Sequence, residues 1–157
     1  MADRVQAIVQ AGIPVMGHIG LTPQSVHQFG GYKVQGKNYL DSRQIRQDAR
    51  DLQNAGIFAL VMEGIPGELA EEITAELKIP TIGIGAGVKC DGQILVLHDL
   101  LGLNQDFVPK FVKQYAQLAD SLKSAVSEYI QEVRDEAFPG QEHTYQSKQG
   151  VLKQVND

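Results

Sequence analysis

The residue best placed for chemistry in this sequence is Glu63, which directly follows a short apolar run. Residues 57–62 are apolar and Gly64 and Pro66 close the run, so we predict a strand buried on both faces. In α/β proteins, catalytic groups gather at the carboxyl ends of parallel strands, where loops form a pocket over rigid scaffolding. Two interpretations stand: Glu63 is a functional carboxylate of a site, or a charge that marks the end of a strand.

Histidines lie at the ends of two other predicted strands. His18 lies between two glycines, small residues that let a ligand or a neighbouring backbone come close. His98 and Asp99 close a later apolar run, from which polar side chains could reach the same face as Glu63 and His18. The alternative for His98 and Asp99 is a helix-capping aspartate beside a surface histidine.

A glycine-rich string, Gly-Ile-Gly-Ala-Gly at residues 83–87, invites comparison with nucleotide-binding loops. The dinucleotide fingerprint needs a third glycine at another spacing and a helix directly afterwards, whereas a turn at residues 89–92 follows here. We therefore interpret the string as a close approach of backbone to a ligand. The single cysteine, Cys90, excludes a disulfide within this chain and a cysteine-based zinc cluster, and we interpret it as a loop or packing residue.

The elements that would position these residues alternate between strands and helices, which predicts an α/β fold with a parallel sheet and its loops on one common face. Predicted helices cover residues 1–11, 40–55, 68–77 and 107–134, and predicted strands cover residues 13–19, 57–62, 80–84 and 93–97. The gap between the last two strands is too short for a helical crossover. That connection must be abbreviated, or these strands are not simple neighbours.

Two segments show no clear periodicity. Residues 21–39 are predicted to form an active-site lid or binding loop, because unstructured connections of this length are uncommon in compact domains. Surface disorder is the alternative. Residues 138–157 are polar beyond a Pro-Gly pair and are predicted to form an extended, partly disordered tail after a folded unit spanning residues 1–137.

Composition limits the class of protein. The chain has 157 residues, of which 43% are hydrophobic and 21% charged, which is enough for one domain with a core. The net charge of −5 and the scattered basic residues argue against nucleic-acid binding. The sequence contains no apolar run of membrane-spanning length and no signal-peptide pattern, so we expect a soluble cytoplasmic protein without a membrane partner.

Several strings of this sequence are distinctive when taken together. They are GHIGLTPQS at residues 17–25, FGGYKVQG at 29–36, Glu63, IGIGAG at 82–87, DGQ at 91–93, HD at 98–99 and FPGQEH at 138–143. In this order they closely resemble a known enzyme family, 3-methyl-2-oxobutanoate hydroxymethyltransferase, also called ketopantoate hydroxymethyltransferase. The match runs nearly unbroken from Ala11 to Tyr145.

The resemblance implies a (β/α)₈ TIM barrel that transfers a hydroxymethyl group from 5,10-methylenetetrahydrofolate to 3-methyl-2-oxobutanoate. The product is 2-dehydropantoate, in pantothenate biosynthesis. The resemblance also implies magnesium as cofactor and a homo-oligomer, which is a decamer in bacterial members. A barrel of this type takes about 250 residues. We therefore expect this chain to cover about the carboxyl-terminal half of the barrel with its last helices.

The resemblance assigns roles to two residues of this chain. Glu63 matches the family's proton acceptor, which takes the weakly acidic proton beside the ketone, and its apolar neighbours are expected to raise its pKa. His18 is expected to line the site. The family's magnesium-binding acids and keto-acid-binding lysine lie on strands before the matched part, so no metal ligand is assigned to this chain, and the folate-binding residues stay unknown.

Two other functions stay open. One is an inactive fragment that associates with intact subunits through unpaired barrel edges. The other is a related barrel lyase that acts on a different 2-oxo acid through the same enolate chemistry.

Overall fold

The structure is a computed structural model that describes residues 1–22 and 34–147. The strands are β1 (Met16–Gly20), β2 (Ala59–Glu63), β3 (Thr81–Ile84) and β4 (Gly92–Gln93). The helices are α1 (Ala2–Gln10), α2 (Tyr39–Asn54), α3 (Gly67–Glu76), α4 (Leu97–Leu100) and α5 (Ala119–Arg134), followed by a 3₁₀ turn at Gln141–His143. Most of the predicted lid and the end of the predicted tail lie outside the described residues.

The four strands form one parallel sheet in the order β1-β2-β3-β4. The prediction of an α/β fold with a parallel sheet is therefore confirmed. The first two crossovers contain α2 and α3, whereas β3 is joined to β4 by residues 85–91 without a helix. The abbreviated connection predicted from the short gap is also confirmed.

Hydrogen bonds between Thr81 and Asp91 fasten this short connection. Asp91 Oδ2 accepts hydrogen bonds from Thr81 N at 2.8 Å and from Thr81 Oγ1 at 2.9 Å, and Thr81 is fully buried. Thr74 Oγ1 lies 2.9 Å from Thr81 Oγ1 on the other side. These bonds to the charged form hold the pKa of Asp91 below its ordinary value.

Helices α2 and α3 cover one face of the sheet and form the core with it. Leu60 and Met62 of β2 point to this face and are 0% exposed. Burial of a side chain of this size contributes about 1.5–3 kcal/mol relative to exposure. Their buried partners include Ile19, Ile45, Ala49, Leu69, Ala70 and Ile73. The prediction of a β2 buried on both faces is confirmed, because all of Ala59–Met62 is buried.

The opposite face of the sheet carries the residues that alternate with this core. The strand register places His18 of β1 beside Val61 of β2, and Gly20 beside Glu63. Ile84 of β3 lies beside Glu63 on the other side. The two side chains singled out for chemistry therefore share this face.

The prediction of a largely helical segment over residues 107–134, as one helix or as two divided at Asp120 and Ser121, is wrong for residues 107–118. There the backbone amides of Tyr115 and Leu118 donate to the carbonyls of Leu100 and Leu101, at 2.8 and 3.0 Å. The segment therefore crosses the end of α4, and the helix begins at Ala119. The backbone of this segment is thus bonded to the end of α4 and not within a helix of its own.

The prediction of a strand over residues 93–97 is also wrong beyond its start. The ladder ends soon after Gln93, with one further bond from Ile94 N to Gly83 O at 3.0 Å. Leu97 then opens α4, so His98 and Asp99 lie in a short helix and not at a strand end. Within residues 1–22 and 34–147, no helix combines the length and apolar character needed to cross a membrane.

Candidate functional site

The site is built around Glu63 and His18, which the structure brings together. Glu63 is the last residue of β2, and its Oε2 lies 3.1 Å from His18 Nε2. The Glu63 side chain is 12% exposed and that of His18 34% exposed, so the pair lies at a partly covered surface. Both residues were predicted from sequence as site residues, and the structure places them in direct contact.

Gly20 is packed tightly against the backbone of Glu63. It is the register partner of Glu63 in the neighbouring strand, so no side chain stands directly opposite the carboxylate. Its φ of +88° is unfavourable for other residues, and a Cβ there would collide with the Glu63 carbonyl oxygen and lie 2.7 Å from Ile65 Cγ2. The space that the sequence predicted at this glycine near His18 is therefore filled by the backbone of the neighbouring strand β2.

Burial raises the pKa of the Glu63 carboxyl above its ordinary value, because desolvation disfavours the charged form. The charge of His18 and its hydrogen bond act in the opposite direction and lower that pKa. Desolvation is the larger effect. A carboxylate whose pKa is moved toward neutrality is a better general base near neutral pH than a fully solvated one.

A cavity of about 460 Å³ lies beside His18, between the end of β1, α2 and the start of α1. Its α2 side carries three carboxylates that sequence analysis missed, Asp41, Asp48 and Asp51. Their spacing of seven and three residues is one helical face, which is the signal that could have found them. Asp41 accepts a hydrogen bond from Asn38 Nδ2 at 2.7 Å and Asp48 from Gln44 Nε2 at 2.8 Å. These contacts give the carboxylates local structural roles.

A second cavity, of about 570 Å³, lies beyond the carboxyl ends of β1, β2 and β3, where Leu21, Gly64 and Gly85 line it. Its walls are mostly apolar and include Phe107 and Phe111, with Lys110 as the cation among its described lining residues. The glycine-rich string borders this cavity. A Cβ on Gly85 would lie 2.7 Å from the Phe111 ring. The close backbone approach predicted for that string is made by side chains and backbone of this chain.

The remaining candidates do not join the pair. His98 is exposed on α4, and Asp99 accepts a hydrogen bond from Asn104 Nδ2 at 2.6 Å. His98 is therefore the surface histidine of the alternative interpretation, whereas the helix-capping role for Asp99 is wrong, because Asp99 lies inside α4 and Val96 is the N-cap residue. Cys90 is half-buried, and burial raises the pKa of its thiol, which disfavours the reactive thiolate. Cys90 thus fits the predicted packing role.

The described residues do not fit a magnesium site. Residues 1–22 and 34–147 contain no group of three or more histidine, cysteine, aspartate or glutamate side chains placed to hold a metal ion. Glu63 and His18 offer one carboxylate and one imidazole, whereas magnesium prefers an octahedron of oxygen ligands. No step of a reaction can therefore be built on a metal held by these residues.

The chain matches known proteins along almost its whole length. Residues 1–141 match a family model described as ketopantoate hydroxymethyltransferase. The chain is 56% identical over 145 residues to the 3-methyl-2-oxobutanoate hydroxymethyltransferase of Syntrophotalea carbinolica, covering 92% of this chain and 54% of that protein. It is 51% identical over 155 residues to the same-named protein of Clostridium acetobutylicum, covering 99% of this chain and 56% of that protein. The chain thus spans about half the length of these curated relatives.

Proposed function

Because the chain belongs to the ketopantoate hydroxymethyltransferase family, we propose that it supplies the proton-accepting part of that enzyme's active site. The reaction is transfer of a hydroxymethyl group to 3-methyl-2-oxobutanoate, giving 2-dehydropantoate. The observation that carries the proposal is the partly covered Glu63 carboxylate at the carboxyl end of β2, with Oε2 at 3.1 Å from His18 Nε2.

The residues of this chain are suited to the first step. A proton on the carbon beside a ketone is a poor acid, so its removal needs a base held over that carbon. Glu63 accepts this proton, and the carbon that loses it becomes the nucleophile for the one-carbon unit. The sheet holds the base on a rigid element, because Glu63 lies within the β1–β2 and β2–β3 ladders.

Two parts of the proposal rest on the family resemblance alone. The one-carbon donor is 5,10-methylenetetrahydrofolate, and magnesium is the cofactor. Since the described residues do not fit a magnesium site, we assign no step to the metal. Cytoplasmic localisation is likewise proposed.

The parallel sheet is proposed to be part of a (β/α)₈ barrel. In residues 1–22 and 34–147, β1 and β4 are the edges of the sheet. An unpaired parallel edge is a template for another strand. We propose that further barrel strands pair along both edges, and that the proton acceptor works only in the barrel completed in this way.

A second candidate function, subunit association, is favoured by α5. Five apolar side chains on this helix are between 42% and 54% exposed: Leu122, Val126, Tyr129, Ile130 and Val133. A helix with an exposed apolar stripe marks a surface that another element covers. Homo-oligomer formation through this stripe is therefore proposed, and a chain that is inactive alone would still associate with intact subunits.

The test isolates proton abstraction and needs no folate. Exchange of the C3 proton of 3-methyl-2-oxobutanoate into deuterated water is measured, with magnesium ions, for the wild type, Glu63→Gln and Glu71→Gln. Glu71 is a control because it is an exposed carboxylate on α3 that pairs with Lys89. Exchange lost in Glu63→Gln alone supports the proposal, and exchange kept in Glu63→Gln overturns it.

If the wild-type chain is folded but shows no exchange, the assay is repeated after adding, as a separate polypeptide, the part of a full-length relative that this chain does not cover. Restored, Glu63-dependent exchange supports the completed-barrel proposal. Co-purification with a full-length subunit without any exchange favours the association function. Cleavage of a larger 2-oxo acid without folate dependence favours the lyase alternative.

A further inference from the structure

We propose that His18 is a positioning residue for Glu63: its Nε2 holds Oε2 of the carboxylate and leaves Oε1 as the oxygen that accepts the proton. This inference rests on the proposed function of Glu63 and deepens it. It assigns His18 a role different from the substrate-lining role expected from the resemblance. The contact that carries it is the 3.1 Å distance between Nε2 and Oε2.

The strand register explains why this pair forms. Glu63 is paired with Gly20, and His18 lies two residues earlier on the same strand and the same face. Gly20, the register partner of Glu63, has no side chain to contact the carboxylate. The imidazole of His18 therefore reaches the carboxylate diagonally. Since β1 and β2 are hydrogen-bonded neighbours, both ends of the contact stand on rigid backbone.

The hydrogen bond makes the two carboxylate oxygens unequal. An imidazole donates from Nε2 in its protonated form and in the neutral form with the proton on that nitrogen. One lone pair of Oε2 is thereby used and the carboxylate is held in one orientation, whereas Oε1 keeps both lone pairs for a substrate. A base held in one orientation gains from proximity, because misplacement of a reacting group by about 1 Å can cost on the order of 100-fold in rate.

The proton transfer balances with these atoms. The C3–H bond of the 2-oxo acid breaks, and its electron pair forms a double bond to C2 while the carbonyl pair moves onto the keto oxygen. The proton arrives on Oε1, which gives a neutral Glu63 carboxyl group and an enolate. Oε2 remains a hydrogen-bond acceptor in the protonated carboxyl, so the contact with His18 survives the step.

Charged groups on the neighbouring elements bear on any titration of this pair. The cavity beside His18 is lined from α2 by Asp41, Asp48 and Asp51, and from the start of α1 by Met1 and Ala2. On the other side, β3 presents Ile84 next to Glu63. The α2 carboxylates are common to every His18 variant, so a difference between variants reports on His18 itself.

The test compares His18→Leu, which removes the hydrogen bond and the charge, with His18→Gln, which keeps a donor. His98→Leu is the matched control, because His98 is exposed on α4. The first readout is the titration of the Glu63 carboxyl carbon by NMR in the chain itself, assigned by comparison with Glu63→Gln. The second is the rate of C3 proton exchange, divided into kcat and KM, in whichever form of the protein shows exchange.

In His18→Leu, the Glu63 midpoint is expected to move to higher pH, and kcat for exchange to fall on the order of 10-fold to 100-fold with KM little changed. His18→Gln recovers most of kcat, and His98→Leu changes neither readout. An unchanged Glu63 midpoint in a folded His18→Leu chain overturns the inference. A rise in KM at constant kcat overturns it in favour of substrate binding.

Failure of the proposed function gives a different result. In that case Glu63→Gln exchanges as fast as the wild type, while the NMR titration still reports whether His18 and Glu63 interact. The two conclusions are therefore tested separately.

Discussion

Gly20 and Glu63 are register partners across β1 and β2, and the side chain that contacts the Glu63 carboxylate comes from His18, two residues earlier in β1. Because the glycine also has a φ of +88° and its Cβ position is filled by the Glu63 carbonyl oxygen, substitution there perturbs the site and the fold together.

Gly20→Ala is expected to lower the free energy of unfolding by about 1–3 kcal/mol from backbone strain, and by more from the collision with Glu63 and Ile65. Gly12→Ala is the control, because Gly12 has a similar φ of +82° but open space around its Cβ position. Urea unfolding of both variants separates the two effects. If both variants lost the same free energy of unfolding, the close packing of Gly20 against Glu63 and Ile65 would not matter for stability.

Glu63→Gln is expected to keep or raise the free energy of unfolding at pH 7. The folded-state pKa of Glu63 is raised by burial, so the folded chain binds its proton more tightly than the unfolded chain does. Stability from this group is therefore present below the unfolded pKa and is lost as pH rises through the folded pKa. Unfolding curves of the wild type and Glu63→Gln should differ most at neutral pH and converge near pH 4.

Thr81→Val is expected to lower the free energy of unfolding by about 1–3 kcal/mol, because it removes a fully buried hydroxyl that bonds Asp91 and leaves that carboxylate short of a donor. Chemical denaturation measures the loss. Thr144→Val is a comparison, since its hydroxyl is exposed and donates to the Gly140 carbonyl. A loss no larger than that of Thr144→Val would contradict the fastening role of Thr81.

Asp91→Asn is expected to lower Tm at neutral pH and to flatten the acid side of the Tm–pH profile. The pKa of Asp91 is held below its ordinary value by bonds from Thr81, so the stability it contributes is present above the unfolded pKa. That stability disappears as pH falls through the folded pKa. Differential scanning calorimetry across the acid range checks this, with Asp3→Asn as control because Asp3 is exposed on α1.

Val126→Glu in α5 is expected to leave the unfolding free energy of the isolated chain within about 0.5 kcal/mol, since Val126 is exposed. It should weaken self-association, because a charge then sits in the apolar stripe. Sedimentation velocity of wild type, Val126→Glu and Ser124→Glu tests this. Ser124 lies on the opposite face of α5, so Ser124→Glu should associate as the wild type does. If Val126→Glu and Ser124→Glu associate equally, the apolar stripe is not the association surface.

Local patterns predicted the elements that build the site. The apolar run before Glu63 identified β2, and the alternation of strands and helices identified the parallel sheet. The contact between Glu63 and His18 could not be predicted, because it depends on the register of two strands separated by α2. A register shift of one residue would turn one of the two side chains to the helix-covered face.

The errors have the same origin. Phe111, Tyr115 and Leu118 have helical spacing, yet Tyr115 and Leu118 donate backbone hydrogen bonds to carbonyls at the end of α4. Partners of this kind are distant in the chain, so periodicity within one segment cannot reveal them. The prediction that His98 follows a strand was wrong because β4 ends at Gln93 and the rest of the apolar run leads into α4.

The helix-free connection between β3 and β4 bears on the order in which the sheet assembles. Closing a loop costs more entropy as it grows, and residues 85–91 close a far shorter loop than the crossover from β1 to β2. β3 and β4 are close in sequence, so their pairing has low contact order. The pairing of β1 with β2, which brings His18 to Glu63, joins residues that are far apart in the sequence. We therefore expect the β3–β4 pairing, which the bonds between Thr81 and Asp91 fasten, to form earlier in folding than the β1–β2 pairing that holds His18 and Glu63.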